Sequence, residues 1–79
     1  MSPGELKALI ESGLPGSSAT VVSDDHRHFE AVVVSPEFEG RRRIERHQMV
    51  YRTLGARMGG EVHALSIRAL TPAERSAGA

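Results

Sequence analysis

The chain has 79 residues, 39% of them apolar and only three aromatic, with no cysteine and a formal net charge of zero. That size fits a single domain, near the lower limit at which one core suffices without staples, and the core must be mainly aliphatic. The lack of cysteine excludes a disulfide, a thiolate nucleophile and any self-contained zinc-thiolate or iron–sulfur site, so cluster chemistry must borrow its sulfur.

In chain order, Ser2-Pro3-Gly4-Glu5 is a capping box with proline at the first helical position. Leu6, Leu9 and Ile10 follow at amphipathic spacing, and Gly13 stops this first helix. Ala19 to Val22 reads as a strand, Ser23 to Arg27 as a polar turn, and the valine-rich stretch His28 to Ser35 as a second strand, which together predict an antiparallel hairpin. Pro36 and Gly40 bracket an irregular connection. Ile44, His47, Tyr51, Leu54 and Met58 then fall at steps of three and four, the inner stripe of a second helix that Gly59-Gly60 ends. Val62 to Leu70 reads as the third strand, and Thr71-Pro72-Ala73-Glu74 as a second capping box opening a short terminal helix. Residues 76–79 are expected to form a disordered tail beyond an ordered core of residues 3–75.

The expected order is therefore α-β-β-α-β-α, one two-layer α/β domain over residues 1–79 with a three-stranded mixed sheet and helices on one face. A strand-helix-strand connection within one sheet makes a right-handed crossover between parallel strands. Strands two and three then start at the same edge, which sets His63 beside His28, and the hairpin turn that leads into strand two carries His26 to the same edge. His63 at a strand start is a candidate metal ligand through a neutral ring nitrogen. The alternative is a half-buried histidine bonded to a nearby carbonyl. His47 lies on the apolar stripe of the second helix and reads as a core histidine.

Residues 1–40 hold seven acids and two bases, whereas residues 41–57 hold six arginines and one acid, so the molecule is a dipole. Arg41, Arg42, Arg43, Arg46, Arg52 and Arg57 form a candidate surface for nucleic acid or an acidic partner, against the plainer reading of a solvated helix face. Gly13-Leu14-Pro15-Gly16 matches the Gly-x-x-Gly of nucleic-acid-binding KH domains but follows the first helix, so it is a helix stop and turn. Phe29, Phe38 and Tyr51 look like packing residues rather than platforms for bases. The pairs Asp24-Asp25 and Glu37/Glu39 have no partnered histidine or serine that specifies a catalytic site, and no phosphate loop is present, which argues against an enzyme. The longest apolar run, Ala31 to Val34, is too short to span a membrane, and Met1 to Glu5 has no signal-peptide layout, so a cytoplasmic protein is expected.

Phe38-Glu39-Gly40, Arg46-His47-Gln48-Met49-Val50-Tyr51, Val62-His63-Ala64-Leu65-Ser66-Ile67 and Thr71-Pro72, in this order and spacing, resemble the BolA family and its short IbaG-like form. The resemblance extends over residues 5–74. It implies a KH-like (class II) fold and a non-enzymatic role. In that family the histidine of the Val-His-Ala motif is a ligand to an iron–sulfur cluster shared with a monothiol glutaredoxin, with the glutaredoxin and glutathione supplying thiolates, and Val62-His63-Ala64 matches the motif. A second ligand is expected from the loop between strands one and two, where His26 is slightly preferred over His28. No cluster is expected on the chain alone, which should be a monomer or weak homodimer. Some members of the family are transcriptional regulators linked to stress responses, so DNA binding by the arginine face is the second reading. Where most relatives carry a tryptophan after the terminal capping box, this chain has Arg75, which should weaken docking of the last helix.

Overall fold

The computed structural model describes residues 1–78, as helix α1 (Pro3–Gly13), strands β1 (Ser18–Val22) and β2 (His28–Val34), helix α2 (Arg43–Leu54), strand β3 (Ala64–Leu70) and helix α3 (Pro72–Ser76). The sheet order is β1-β2-β3. β1 runs antiparallel to β2, and β2 parallel to β3 with His28 opposite Ala64. The mixed α/β architecture expected from the sequence is the one observed.

Local chemistry accounts for the element starts. In the α1 capping box Ser2 Oγ accepts the Glu5 N–H at 3.1 Å, and Glu5 Oε1 accepts the Ser2 N–H at 3.0 Å. Thr71 and Glu74 repeat the arrangement at α3. Gly13 ends α1 as expected, but it also serves packing: a Cβ there would stand 2.6 Å from Thr53 Cγ2, so the glycine lets α1 and α2 approach closely. The turn that follows uses Gly16 at φ 85.

The core lies between the helices and one sheet face. Leu6 and Ile10 from α1 and Leu14 just after it meet Ala19, Phe29, Ala31 and Val33 from the sheet, with Val50 and Leu54 from α2 closing the other side. On the free edge of β1, Ala19 donates its N–H to Glu11 Oε2 at 3.0 Å and accepts from Lys7 Nζ at 2.7 Å. Two α1 side chains thus occupy backbone groups that an edge strand otherwise offers to another chain.

Three expected details differ. The expected inner stripe of α2 holds only at its far end, where Leu54 is buried and Met58 packs against the core; Ile44 is 57% and Tyr51 37% exposed, and Val50 is buried instead. The helix is turned by about one residue relative to expectation. The reason is Arg46, which takes an inner position because backbone carbonyls and a carboxylate await it there. His47 is accordingly half-buried rather than a core residue. The helix also ends early, at Leu54, where Gly55 takes φ 53 and a 3-10 turn, Gly55–Arg57, follows. Finally, regular pairing of the third strand begins at Ala64, Val62 forming only an isolated bridge with Met58. α3 continues through Ser76; the end of the expected disordered tail, at position 79, lies outside the described residues.

Candidate functional site

The turn between β1 and β2 is built from its own polar side chains. Ser23 Oγ accepts the His26 N–H at 2.9 Å and donates to the His28 carbonyl at 2.6 Å. Asp25 Oδ1 accepts the N–H groups of Arg27 and His28 at 2.9 and 2.8 Å, while Oδ2 lies 2.6 Å from His28 Nδ1. These bonds hold His26 at φ 60, the one non-glycine residue with positive φ among the described residues. The same contacts hold the Asp25 carboxyl below the usual carboxylate range, the His28 backbone N–H being the largest cause and the His28 ring the next. Asp25 therefore has a histidine partner, which the sequence reading did not give it.

The parallel pairing of β2 and β3 does the rest. His63 and Ala64 both donate their N–H groups to the Arg27 carbonyl, at 2.9 and 3.2 Å, which fastens the start of β3 to the residue before His28. The two histidine rings meet with centroids 5.1 Å apart and planes at 73°. Both residues are exposed at this edge of the sheet, as is His26 on the turn. Among the described residues, no ring contact joins His26 or His47 to this pair.

Two imidazole nitrogens at about 2 Å from one tetrahedral ion place their ring centroids roughly 5 Å apart. The His28–His63 centroid spacing of 5.1 Å is of that order. Among the described residues no group of three or more His, Cys, Asp or Glu side chains is arranged to hold a metal ion. What this edge offers is two exposed imidazole rings side by side at the start of β2 and β3.

The arginines divide into two groups. Arg41, Arg42, Arg43, Arg52 and Arg57 are exposed, with Arg42 and Arg57 only loosely paired to Glu45 and Glu61 at 3.6 and 3.8 Å. Arg46 is internal. Its Nη1 donates to Glu74 Oε1 at 2.7 Å and to the Ala69 carbonyl at 3.1 Å, its Nε donates to the Arg41 carbonyl at 3.0 Å, and its guanidinium carbon lies 5.9 Å from the centre of the buried Phe38 ring. This residue ties α2 to β3 and α3, and its Nε and Nη1 donors are used within the fold. Neither this clamp nor the Asp25–His28 contact was found from the sequence. The clamp joins residues 28 apart and has no local signature, whereas an Asp three residues before a strand-opening His was a visible clue.

Among the described residues no helix is long and apolar enough to cross a membrane. Human BolA-like protein 1 is 42% identical over 77 residues, an alignment covering 94% of this chain and 51% of the relative. The chain thus spans about half the length of that relative. The "DNA-binding transcriptional regulator BolA" of Haemophilus influenzae is 38% identical over 47 residues, covering 60% of this chain and 46% of that protein. A solved BolA homologue from Coxiella burnetii superimposes with a TM-score of 0.88 at 40% identity, over 96% of this chain and 97% of the other. The family model described as "BolA-like protein" matches residues 2–74, and the chain belongs to the BolA family.

Proposed function

We propose that this chain is a non-enzymatic, cytoplasmic partner of a monothiol glutaredoxin in the binding, transfer or sensing of an iron–sulfur cluster. The observation that carries the reading is the contact between the exposed rings of His28 and His63, which offers two imidazoles from a chain without cysteine. The cluster is cargo held between proteins. Glutaredoxin and glutathione supply thiolates to one iron, and the two imidazoles supply nitrogens to the other.

Two observations favour His28 over His26 as the second ligand. His28 touches the His63 ring, and its Nδ1 is engaged by a carboxylate, the arrangement that orients metal-binding histidines. His26 shares neither contact.

The reading is tested by adding this protein anaerobically to a monothiol glutaredoxin carrying a glutathione-ligated [2Fe–2S] cluster and following visible circular dichroism. The cluster spectrum should change with the wild-type protein and remain that of glutaredoxin alone with His63→Ala. A change of equal size with His63→Ala would refute it. The name of the Haemophilus influenzae relative and the exposed Arg41, Arg42, Arg43, Arg52 and Arg57 support a second reading, DNA binding. Five phosphate contacts would give a log–log salt slope near −4.5.

A further inference from the structure

We propose that Asp25 is the positioning residue of the histidine pair: it holds His28 with the proton on Nδ1 and leaves Nε2 as the nitrogen presented to a metal. The metal clause rests on the shared-cluster reading; the orientation of the ring does not. Three observations carry the proposal. Asp25 Oδ2 is 2.6 Å from His28 Nδ1, a distance at which the carboxylate accepts and the ring donates. Asp25 Oδ1 is fixed by the N–H groups of Arg27 and His28, so the second oxygen has little freedom to follow the ring and instead sets its direction. The Arg27 carbonyl, on the residue Asp25 braces, accepts the N–H groups of His63 and Ala64, so one carboxylate stabilises the turn that places both rings. The neighbouring Asp24 is exposed and has no corresponding bond among the described residues. Of the two adjacent aspartates, only Asp25 is placed to act on the pair.

The substitution Asp25→Asn separates the two jobs of this side chain. The amide oxygen can still accept the two turn N–H groups, while the amide nitrogen faces His28 Nδ1 as a donor and favours the opposite tautomer. The experiment is a long-range proton–nitrogen correlation spectrum of the histidine rings in the free, nitrogen-15-labelled protein at about pH 8, where an unperturbed imidazole is neutral. Wild-type His28 should show a protonated Nδ1 and an unprotonated Nε2, and Asp25→Asn should reverse them with backbone amide positions outside the turn unchanged. A wild-type His28 protonated on Nε2, or a tautomer that Asp25→Asn leaves unaltered, would overturn the proposal, and the wild-type spectrum alone suffices for the first.

A second readout uses cluster-loaded glutaredoxin. Asp25→Asn should weaken its association with this chain by about 10- to 100-fold, the usual effect of removing a group that orients a metal ligand. Unaltered affinity would overturn the metal clause. If the tautomer follows Asp25 while His28→Ala and His63→Ala both leave the cluster spectrum as it is with the wild type, the ring orientation stands and the shared-cluster reading fails.

Discussion

Replacing Arg46 by alanine should destabilise the fold far more than replacing any of the neighbouring arginines. Its side chain is 14% exposed and makes three hydrogen bonds, two of them to the backbone carbonyls of Arg41 and Ala69. A bond involving a charged group contributes about 1.5–3 kcal/mol, but the three share one guanidinium and do not add in full. The Glu74 side chain is 42% exposed, which brings the ion pair down toward the roughly 1 kcal/mol of a surface pair. The main loss is then two carbonyls deprived of a donor and a guanidinium lifted from Phe38, about 3 kcal/mol together. For a chain of this size the whole folding free energy is about 4–12 kcal/mol, so the loss is a large share. Urea unfolding followed by far-ultraviolet circular dichroism is the assay. With a slope near 1 kcal/mol/M the midpoint should fall by about 3 M at unchanged slope, whereas the exposed Arg43→Ala should stay within about 0.5 kcal/mol of wild type. Equal midpoints for Arg46→Ala and Arg43→Ala would refute the assignment of Arg46 to a structural clamp.

Gly13→Ala should cost about 1–3 kcal/mol in the same assay, because the new methyl meets Thr53 Cβ as well as Cγ2 and the helices must part to admit it; Thr53→Ser, by removing that Cγ2, should recover part of the loss. The Glu74 carboxyl is held below its ordinary 4.5 by the Thr71 N–H first and by Arg46 next. Its folded value is the lower one, so its contribution is complete above about pH 4.5 and disappears as pH falls through the folded value. Unfolding midpoints measured from pH 6 downward should therefore decline more steeply for wild type than for Glu74→Gln, and parallel curves would contradict this. Glu11→Ala should release the Ala19 N–H on the edge of β1, seen as faster amide hydrogen exchange at Ala19 and a loss of about 1 kcal/mol. Under the shared-cluster reading, reversing Arg41, Arg42 and Arg43 to glutamate should leave the cluster-dependent spectral change with glutaredoxin in excess intact, whereas the DNA-binding reading requires those residues for a salt-sensitive shift of duplex DNA.

Much of the fold was legible because its signals are local. The capping boxes at Ser2 and Thr71, the valine-rich β2 and the crossover rule together lead to strands starting at one edge, and hence to His28 beside His63. The inner face of α2 was not legible for a physical reason. Ile44, His47 and Tyr51 satisfy helical periodicity as well as Arg46, Val50 and Leu54 do, and only the tertiary partners of Arg46 decide between them. The early end of α2 had a signal in Gly55, outweighed in the sequence by the stronger punctuation of Gly59-Gly60. At the site, chain topology gave the meeting of strands, but how the His28 ring is held beside His63 depends on where Asp25 points within a five-residue turn. Residue spacing does not encode that direction; the hydrogen bonds of Ser23 and Asp25 do.

The most direct test of the account is residue-resolved. Isotope-labelled protein is titrated anaerobically with monothiol glutaredoxin carrying a [2Fe–2S] cluster, and the four histidine side-chain signals are followed together. The paramagnetic cluster should broaden the ring signals of His28 and His63 first and most strongly, with His26 less affected and His47 unaffected. Broadening that singles out His26 with His63 would assign the second ligand to the turn instead. Four histidine signals that stay sharp while signals along α2 near Arg43 and Arg52 shift would contradict the account and place the working surface on the arginine face.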